Sequence, residues 1–376
     1  MMAFNILHKD KKTKARSGIL KTKSGNIETP FFMPVATHST VKNISSQDLE
    51  EMGARAIISN ALMLFLKPGT KIIEKFSGLG KFMNFPGITF TDSGGFQMYS
   101  KAIYVGSKDR GVIFKNPFNG DKIFMTPEKD MNIQLQLNSD VAMCLDSMPL
   151  IEHSKEAIKD AVKKTSIWAA RCKIEHNKLQ KEKKKKRRQL LFGISQGGIH
   201  KDLRKRSVKE LKKIDFDGYS IGGLGLGETR KQQHEMIKIT KKIIPENKPI
   251  YLMGVGKPVE ILEAISLGVD IFDSRFPTRN ARNGSIFTKK GTLRLLNSKH
   301  KTDQNPMDKN CNCFVCKNYS KAYLRHLLLH REGNGYRLAS YHNLFFLQEM
   351  TRNARKAIKQ RKFKEFLTKF KKDYQE

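Results

Sequence analysis

Eight times between residues 31 and 272 the chain repeats one pattern: a short apolar run, a polar or glycine-rich exit, then a stretch with helical signals. The apolar runs fall at 31–35, 56–59, 88–91, 141–145, 190–194, 219–221, 250–253 and 269–272. Short runs that are continuously apolar suit strands buried on both faces, as in parallel sheets covered by helices. The helical signals between them are local. Ser45 precedes Gln47, Asp48 and Glu51 as a helix cap would, and Thr126 stands before Pro127 and Glu128, placing a capping hydroxyl ahead of a first-turn proline. Further helices are expected over 153–180, 201–213, 229–244 and 258–267, the last stopped by Gly268. Eight such units argue for an α/β fold closed into a (β/α)8 barrel, with an open doubly wound sheet as the structural alternative.

The 376 residues exceed the roughly 250 of one barrel, which leaves room for an appendage. Lys and Arg total 71 against 36 Asp and Glu, giving a net charge of +35. Such a surface favours a polyanionic partner such as nucleic acid, although a lysine-rich composition alone would produce part of the excess. The basic run at 183–188 fits either an RNA-binding or nuclear-type patch or a solvated helix end. With no apolar run long enough for a membrane span and no signal-peptide core, a cytoplasmic protein is expected. Of five cysteines, Cys144 and Cys172 suit the core or a helix face. Cys311, Cys313 and Cys316 crowd together, which in a reducing compartment suits a metal better than disulfides.

Ligand sites in parallel barrels gather where the strands end, so the exits carry the functional information. The third run exits into Asp92-Ser93-Gly94-Gly95-Phe96-Gln97, combining a carboxylate, pliant backbone and an aromatic that can lie on a flat ligand. Asp146 ends the fourth run, and the fifth leads into Ser195-Gln196-Gly197-Gly198, where an amide can pair with a planar base. Gly222-Gly223-Leu224-Gly225-Leu226-Gly227 follows the sixth as a strip of exposed backbone. In Tyr251-Leu252-Met253-Gly254-Val255-Gly256, Met253 either covers a ring or fills the core. The eighth run ends in Asp273, which is either a turn cap or a reacting carboxylate. Two separate aspartates beside an Asp/Gln pair describe a site that binds a base and attacks something next to it.

Cys311-Asn312-Cys313-Phe314-Val315-Cys316 offers three thiolates. With one imidazole they would fill a closed, structural Zn2+ site. His342, His326 and His330 compete for the fourth place.

Taken in order, these motifs resemble the tRNA-guanine transglycosylase (queuine tRNA-ribosyltransferase) family, bacterial type, from about residue 18 to 350. The carriers are Asp92-Ser93-Gly94-Gly95-Phe96-Gln97, the 192–198 segment, Gly222-Gly223-Leu224, the 251–256 segment, and Asp273 with Pro277-Thr278-Arg279. The resemblance implies a TIM-type (β/α)8 barrel with a zinc-binding subdomain. It implies an enzyme in which Asp273 attacks C1′ of the wobble guanosine in GUN-anticodon tRNAs and a 7-deazaguanine, preQ1 or queuine, replaces guanine in queuosine biosynthesis. Asp92 would be the general acid/base. Asp92, Ser93, Gly94, Gly95, Phe96, Asp146, Gln196, Gly223, Leu224 and Met253 would hold the base. Gly254, Val255, Gly256, Lys257, Pro258, Val259 and Glu260 would contact tRNA, with Thr278, Arg279, Asn280, Ala281 and Arg282.

The family pattern favours His342 as the ligand joining Cys311, Cys313 and Cys316 on one Zn2+ per subunit, and it implies a homodimer. The chain then divides into an N-terminal β-hairpin extension (1–28), a barrel core (29–284), a zinc-binding subdomain (285–350) and a basic C-terminal helix packing back on the barrel (351–376). Departures from the family fall at Ser274-Arg275-Phe276, at Ser147 and Met148, and at Gly225 and Leu226. Two alternatives stand: an archaeosine-inserting paralogue, which brings a further C-terminal RNA-binding domain for which this chain is expected to be too short, and a non-catalytic zinc RNA-binding partner subunit. The latter has no need of Asp273 and Asp92 together.

Overall fold

The structure, a computed structural model, describes residues 3–148, 152–182 and 188–375. Of the basic run at 183–188, only Arg188 lies among them. The eight expected runs form strands Phe31–Pro34, Ala56–Asn60, Ile88–Asp92, Val141–Met143, Leu190–Ser195, Gly218–Ile221, Ile250–Leu252 and Ile271–Ser274, joined in one parallel sheet. Neighbours around the sheet follow chain order, and the last strand pairs with the first, Asp273 opposite Met33. A single bridge between Val35 and Ile58, with the Ala36 amide donating to the Ile58 carbonyl at 2.7 Å, joins the first strand to the second. An open doubly wound sheet would reverse its strand order midway. This sheet does not.

Alternation of side chains splits the strands between two cores. Phe31, Met33, Ile58, Phe90, Met143, Phe192, Tyr251 and Ile271 fill the barrel, while Phe32, Ile57, Leu191 and Phe272 pack outward against helices. Phe90 anchors the interior, meeting Phe31, Phe192 and Tyr251 edge-on with centroids 6.3, 6.0 and 6.4 Å away, a favoured ring geometry. An antiparallel sheet of Phe4–Lys9, Arg16–Lys21 and Asn26–Thr29 adds Phe4, Leu20 and Ile27 to that interior, closing the end where the barrel strands begin.

Local chemistry sets the helix starts. Ser45 and Asp48 form a reciprocal capping box, as do Thr229 and Gln232, and Thr126 accepts from the Lys129 amide at 3.2 Å ahead of Pro127. Gly268, at φ +94°, ends the Pro258–Ser266 helix region in a conformation that favours glycine. Nothing in the eightfold pattern anticipates the antiparallel sheet Tyr104–Lys108, Gly111–Lys115 and Lys122–Met125, inserted between the third and fourth barrel strands. Its apolar residues alternate along short strands, and Tyr104 and Phe124 face solvent, so no continuous run marks it. The Asn119-Gly120 turn is its clearest signal.

One helix, Gly333–Lys359, runs unbroken across residue 350, where the sequence suggested a boundary. It carries His342 near its start, and further along Gln348 and Arg355 donate to the carbonyls of Phe32 and Pro30 at 3.0 and 2.7 Å. It therefore covers the first barrel strand. In the following helix, Phe363–Asp373, Phe363 is fully buried and Phe370 stacks on Tyr374 at 5.2 Å. Among the described residues no helix is long and apolar enough to cross a membrane.

Candidate active site

Asp92, Asp146 and Asp273 stand at or just beyond the ends of the third, fourth and eighth strands, and the ring topology turns all three toward one mouth. Asp273 Oδ1 accepts from the Tyr251 hydroxyl at 2.5 Å and the Gly254 amide at 2.9 Å. Its Oδ2 has no protein donor among the described residues. Gly254 meets the carboxylate from a φ of +77°, which glycine tolerates without strain. Burial raises the Asp273 pKa above the ordinary carboxylate range, opposed by Tyr251 and Gly254.

Asp92 has less support. Its Oδ1 accepts from the Gly94 amide at 3.0 Å. Burial, and then the like charge of Asp273, push its pKa up to about 7. A carboxyl balanced near neutrality can give and take a proton. Burial pushes Asp146 up to about 6 against the Gln196 amide, which donates to its Oδ2 at 2.6 Å.

Gln196 is fully buried, and its Oε1 has no partner among the described residues. A Cβ on Gly223 would lie 2.6 Å from that oxygen, and one on Gly95 would lie 2.5 Å from Asp146 Oδ1. The absence of side chains at Gly95 and Gly223 thus keeps the polar edge clear. Phe96 stands open at the mouth, 52% exposed, and Met253 is half-buried. Leu224 is buried, so its backbone rather than its side chain is what it can offer a ligand. Ser93 is buried, and a hydrogen bond from its side chain opposes the rise in the Asp146 pKa.

The expected RNA strips divide by exposure. Gly254, Lys257 and Arg279 are exposed; Glu260, Asn280 and Arg282 are half-buried. Val255, Gly256, Pro258, Val259, Thr278 and Ala281 are buried, so those six shape the strips from beneath.

Several site-building contacts carried no legible signal. Tyr251 was visible as part of a motif, yet its hydroxyl bond to Asp273 depends on the register of neighbouring strands. Arg204, one of many basic residues on the Lys201–Ile214 helix, is fully buried and donates to the carbonyls of Ser195, Gly198 and Gly222 at 2.7, 3.0 and 2.9 Å. It ties the loops after the fifth and sixth barrel strands together. Asp130 is buried behind the mouth and accepts from Gln134 at 2.9 Å; burial, then Asp92 and Asp146, hold its pKa well above the usual range. Among the departures, Ser274 donates to the Gly254 carbonyl at 3.1 Å, and Ser147 lies 2.8 Å from the Tyr99 hydroxyl. Both are built into the walls.

Cys311, Cys313, Cys316 and His342 are all buried, with candidate ligand atoms within 4.8 Å of one another. His342 Nδ1 lies 3.8, 3.4 and 3.3 Å from the three sulfurs. A tetrahedral ion with bonds of about 2.0–2.3 Å has edges of roughly 3.6 Å, so the set fits a metal ion. His342 Nε2 lies 2.7 Å from the Phe287 carbonyl; a bond there fixes the ring with Nδ1 toward the cysteines. His326 and His330 are exposed and stand outside the cluster.

Comparison with known proteins adds an independent finding. A family profile described as queuine tRNA-ribosyltransferase matches residues 10–376. A protein of that name from Lysinibacillus sphaericus is 45% identical over 367 residues, covering 98% of this chain and 94% of its own length. Namesakes from Halothermothrix orenii and a Thermoanaerobacter species are 43% and 45% identical, each covering 99% of this chain and 98% and 97% of their own lengths.

Proposed function

The chain belongs to the queuine tRNA-ribosyltransferase family, and from that premise we propose a reaction for its four polar groups at the mouth. The protein is a tRNA-guanine transglycosylase acting in queuosine synthesis. Asp273 is the nucleophile. Its Oδ1 is held by Tyr251 and Gly254, leaving Oδ2 to attack C1′ of the wobble guanosine. As the C1′–O bond forms, the C1′–N9 bond breaks, its electron pair passes to guanine, and protonated Asp92 supplies the proton.

Guanine leaves and a 7-deazaguanine enters. The Asp92 carboxylate takes the incoming N9 proton, N9 attacks C1′, and the Asp273 ester bond breaks. Splitting one exchange into two displacements through a covalent intermediate is the logic of retaining glycoside chemistry. Asp146 accepts from donor edges of the base, and the unpartnered Gln196 Oε1 is a second acceptor beside it. To reach these groups the base must leave its stack, which suits single-stranded anticodon RNA. Lys257 and Arg279 contact the flanking RNA.

The single observation that carries this reading is the pairing of a half-supported Asp273 with a near-neutral Asp92 across one mouth. The ion held by the four buried ligands is zinc, a structural cross-link with no open position; elemental analysis should find one zinc per chain. Exposed Phe314, Tyr323 and Leu329 on the same lobe, 42, 42 and 50% exposed, support a homodimer, and a tRNA substrate supports a cytoplasmic location. The test is direct: enzyme incubated with substrate tRNA and a base analogue should give an RNA adduct stable on a denaturing gel. Asp273→Ala should abolish it, and failure of the wild type to form one would sink the proposal. Exchange of labelled guanine against preQ1 and against queuine then identifies the incoming base.

A further inference from the structure

The helices Lys201–Ile214 and Arg230–Ile243 pack side by side on the outside of the barrel, with a groove of about 750 Å3 between them. Its floor is apolar: Ile239 and Ile243, one turn apart, are both half-buried. Its walls are Lys205, Lys209, Lys212 and Lys213 on one helix and Lys242 on the other, all exposed. Among the described residues none of the five pairs with a carboxylate; the acidic residues of the two helices are engaged elsewhere, Asp202 with Lys155 at 2.9 Å, Glu210 with Arg206 at 2.8 Å and Glu235 with Lys201 at 2.5 Å. Lys209 has like charges four residues to either side, at Lys205 and Lys213, an arrangement that costs helix stability. The negative end of the helix dipole accounts for Lys212, Lys213 and Lys242, which stand in the last turns. It does not reach Lys205 or Lys209.

The groove stands apart from the mouth. Both helices run from strand ends back to strand starts, so Lys212, Lys213, Lys242 and Ile243 come close to where the strands at Gly218 and Ile250 begin, at the end of the barrel opposite Asp92, Asp146 and Asp273. A second copy of this chain is a poor occupant, because it brings the same net charge of +35. The phosphates of an RNA would answer the lysines and leave the isoleucines unmet. What answers both is a segment with carboxylates along its flanks and apolar side chains along its centre, which an amphipathic helix presents at i, i+3, i+4 and i+7. Lysine stems would widen the apolar floor beneath such a helix while their ammonium groups reach its acidic rim. We propose that the groove between these two helices is a docking surface for an acidic amphipathic helix of a protein partner, with Ile239 and Ile243 receiving its apolar stripe and the five lysines its carboxylates.

Fluorescence anisotropy with the full chain reads the docking directly. The probe is a labelled synthetic peptide of about five helical turns, with leucines at the stripe positions and glutamates on the remaining faces. It should bind with a Kd of about 10 μM at physiological ionic strength, and a matching peptide with serine in place of every leucine should bind about tenfold more weakly. Lys209→Glu combined with Lys212→Glu should weaken the leucine peptide about tenfold or more, and Ile239→Ser about fivefold. Both variants should keep the wild-type melting curve, kcat and KM for tRNA. The charge-reversed variant alters exposed side chains alone, so it tests the groove even where Ile239→Ser disturbs packing. Absence of binding by the leucine peptide, equal binding by the two peptides, or binding unmoved by the lysine substitutions would overturn the proposal. Displacement of the peptide by a lower concentration of a single-stranded oligoribonucleotide, with a raised KM for tRNA in the lysine variant, would overturn it in favour of an RNA surface.

Discussion

Asp270 and Asp273 lie on one stretch of chain three residues apart, yet they sit at opposite ends of the barrel in opposite chemical conditions. At the strand starts, Asp270 accepts from Arg16 Nε at 2.9 Å and Nη2 at 2.6 Å, and from the Ile250 amide at 2.8 Å. Asp140 accepts from the amides of Ser24 and Thr89, each at 2.9 Å, and Asp217 from Arg188 and from the Leu191 amide at 3.0 Å. Each is buried and each takes donors on both oxygens. At the strand ends, Asp273 has one bare oxygen, Asp92 leans on a neighbouring glycine amide, and no ion pair reaches Asp92, Asp146 or Asp273 among the described residues. The same side chain is satisfied at one face and left wanting at the other. Satisfaction holds the barrel together, and its absence keeps the mouth reactive, the division of labour expected of parallel barrels.

That contrast can be broken by experiment. The largest effect belongs to the mouth: Asp273→Ala should lower kcat by about 10^4 or more while a urea melt remains at least as stable as wild type. Loss of both activity and fold would erase the distinction. Next comes Asp270→Ala, which strands Arg16 in the interior and should cost about 3–5 kcal/mol of stability. Activity per folded molecule should stay within a few-fold, and Arg16→Met added to Asp270→Leu should recover much of the loss. A third measurement sharpens the account of the mouth. If Asp92, with a pKa of about 7, is the proposed acid, single-turnover adduct formation should fall about tenfold per pH unit above pH 7. A rate flat from pH 6 to 9 would remove Asp92 from that role.

The smallest effect follows from linkage. Asp92 has a folded pKa above its unfolded value, so the folded state holds the extra proton between them, and wild-type stability falls as pH rises toward 7. Asp92→Asn should therefore raise the melting temperature by a few degrees at pH 8 and by clearly less at pH 5, where folded Asp92 keeps its proton and only the unfolded chain has lost it. An equal shift at both values would mean that charge at Asp92 is not what destabilises the mouth.

The barrel was legible because each strand is buried on both faces, which writes it as an uninterrupted apolar run. Positions of Asp92, Asp146, Gln196 and Asp273 followed from the strand exits. What stayed hidden was whatever depends on partners distant in the chain. Asp270 and Asp273 look alike until Arg16 is seen beside one and Tyr251 beside the other. Arg204 is indistinguishable in sequence from its solvated neighbours, and Val255 and Ala281 could not be separated from exposed Lys257 and Arg279 without the packing beneath them. The inserted sheet escaped because its alternation is short and partly solvent-facing.

The helix Gly333–Lys359 gives the barrel a timetable. The first strand, made early, pairs with a strand that begins at Ile271, and its outer side is sealed by Gln348 and Arg355, whose bonds to Phe32 and Pro30 span 316 and 325 residues of sequence. During synthesis the apolar outer face of Phe32 must wait, uncovered, until nearly the whole described chain has left the ribosome. Contacts of such long sequence separation form slowly and leave intermediates open to aggregation. Because Asp273 lies on the strand that completes the ring, a nascent chain stopped short of this helix should hold every mouth residue and still have no finished mouth, which delays RNA chemistry until synthesis is almost over.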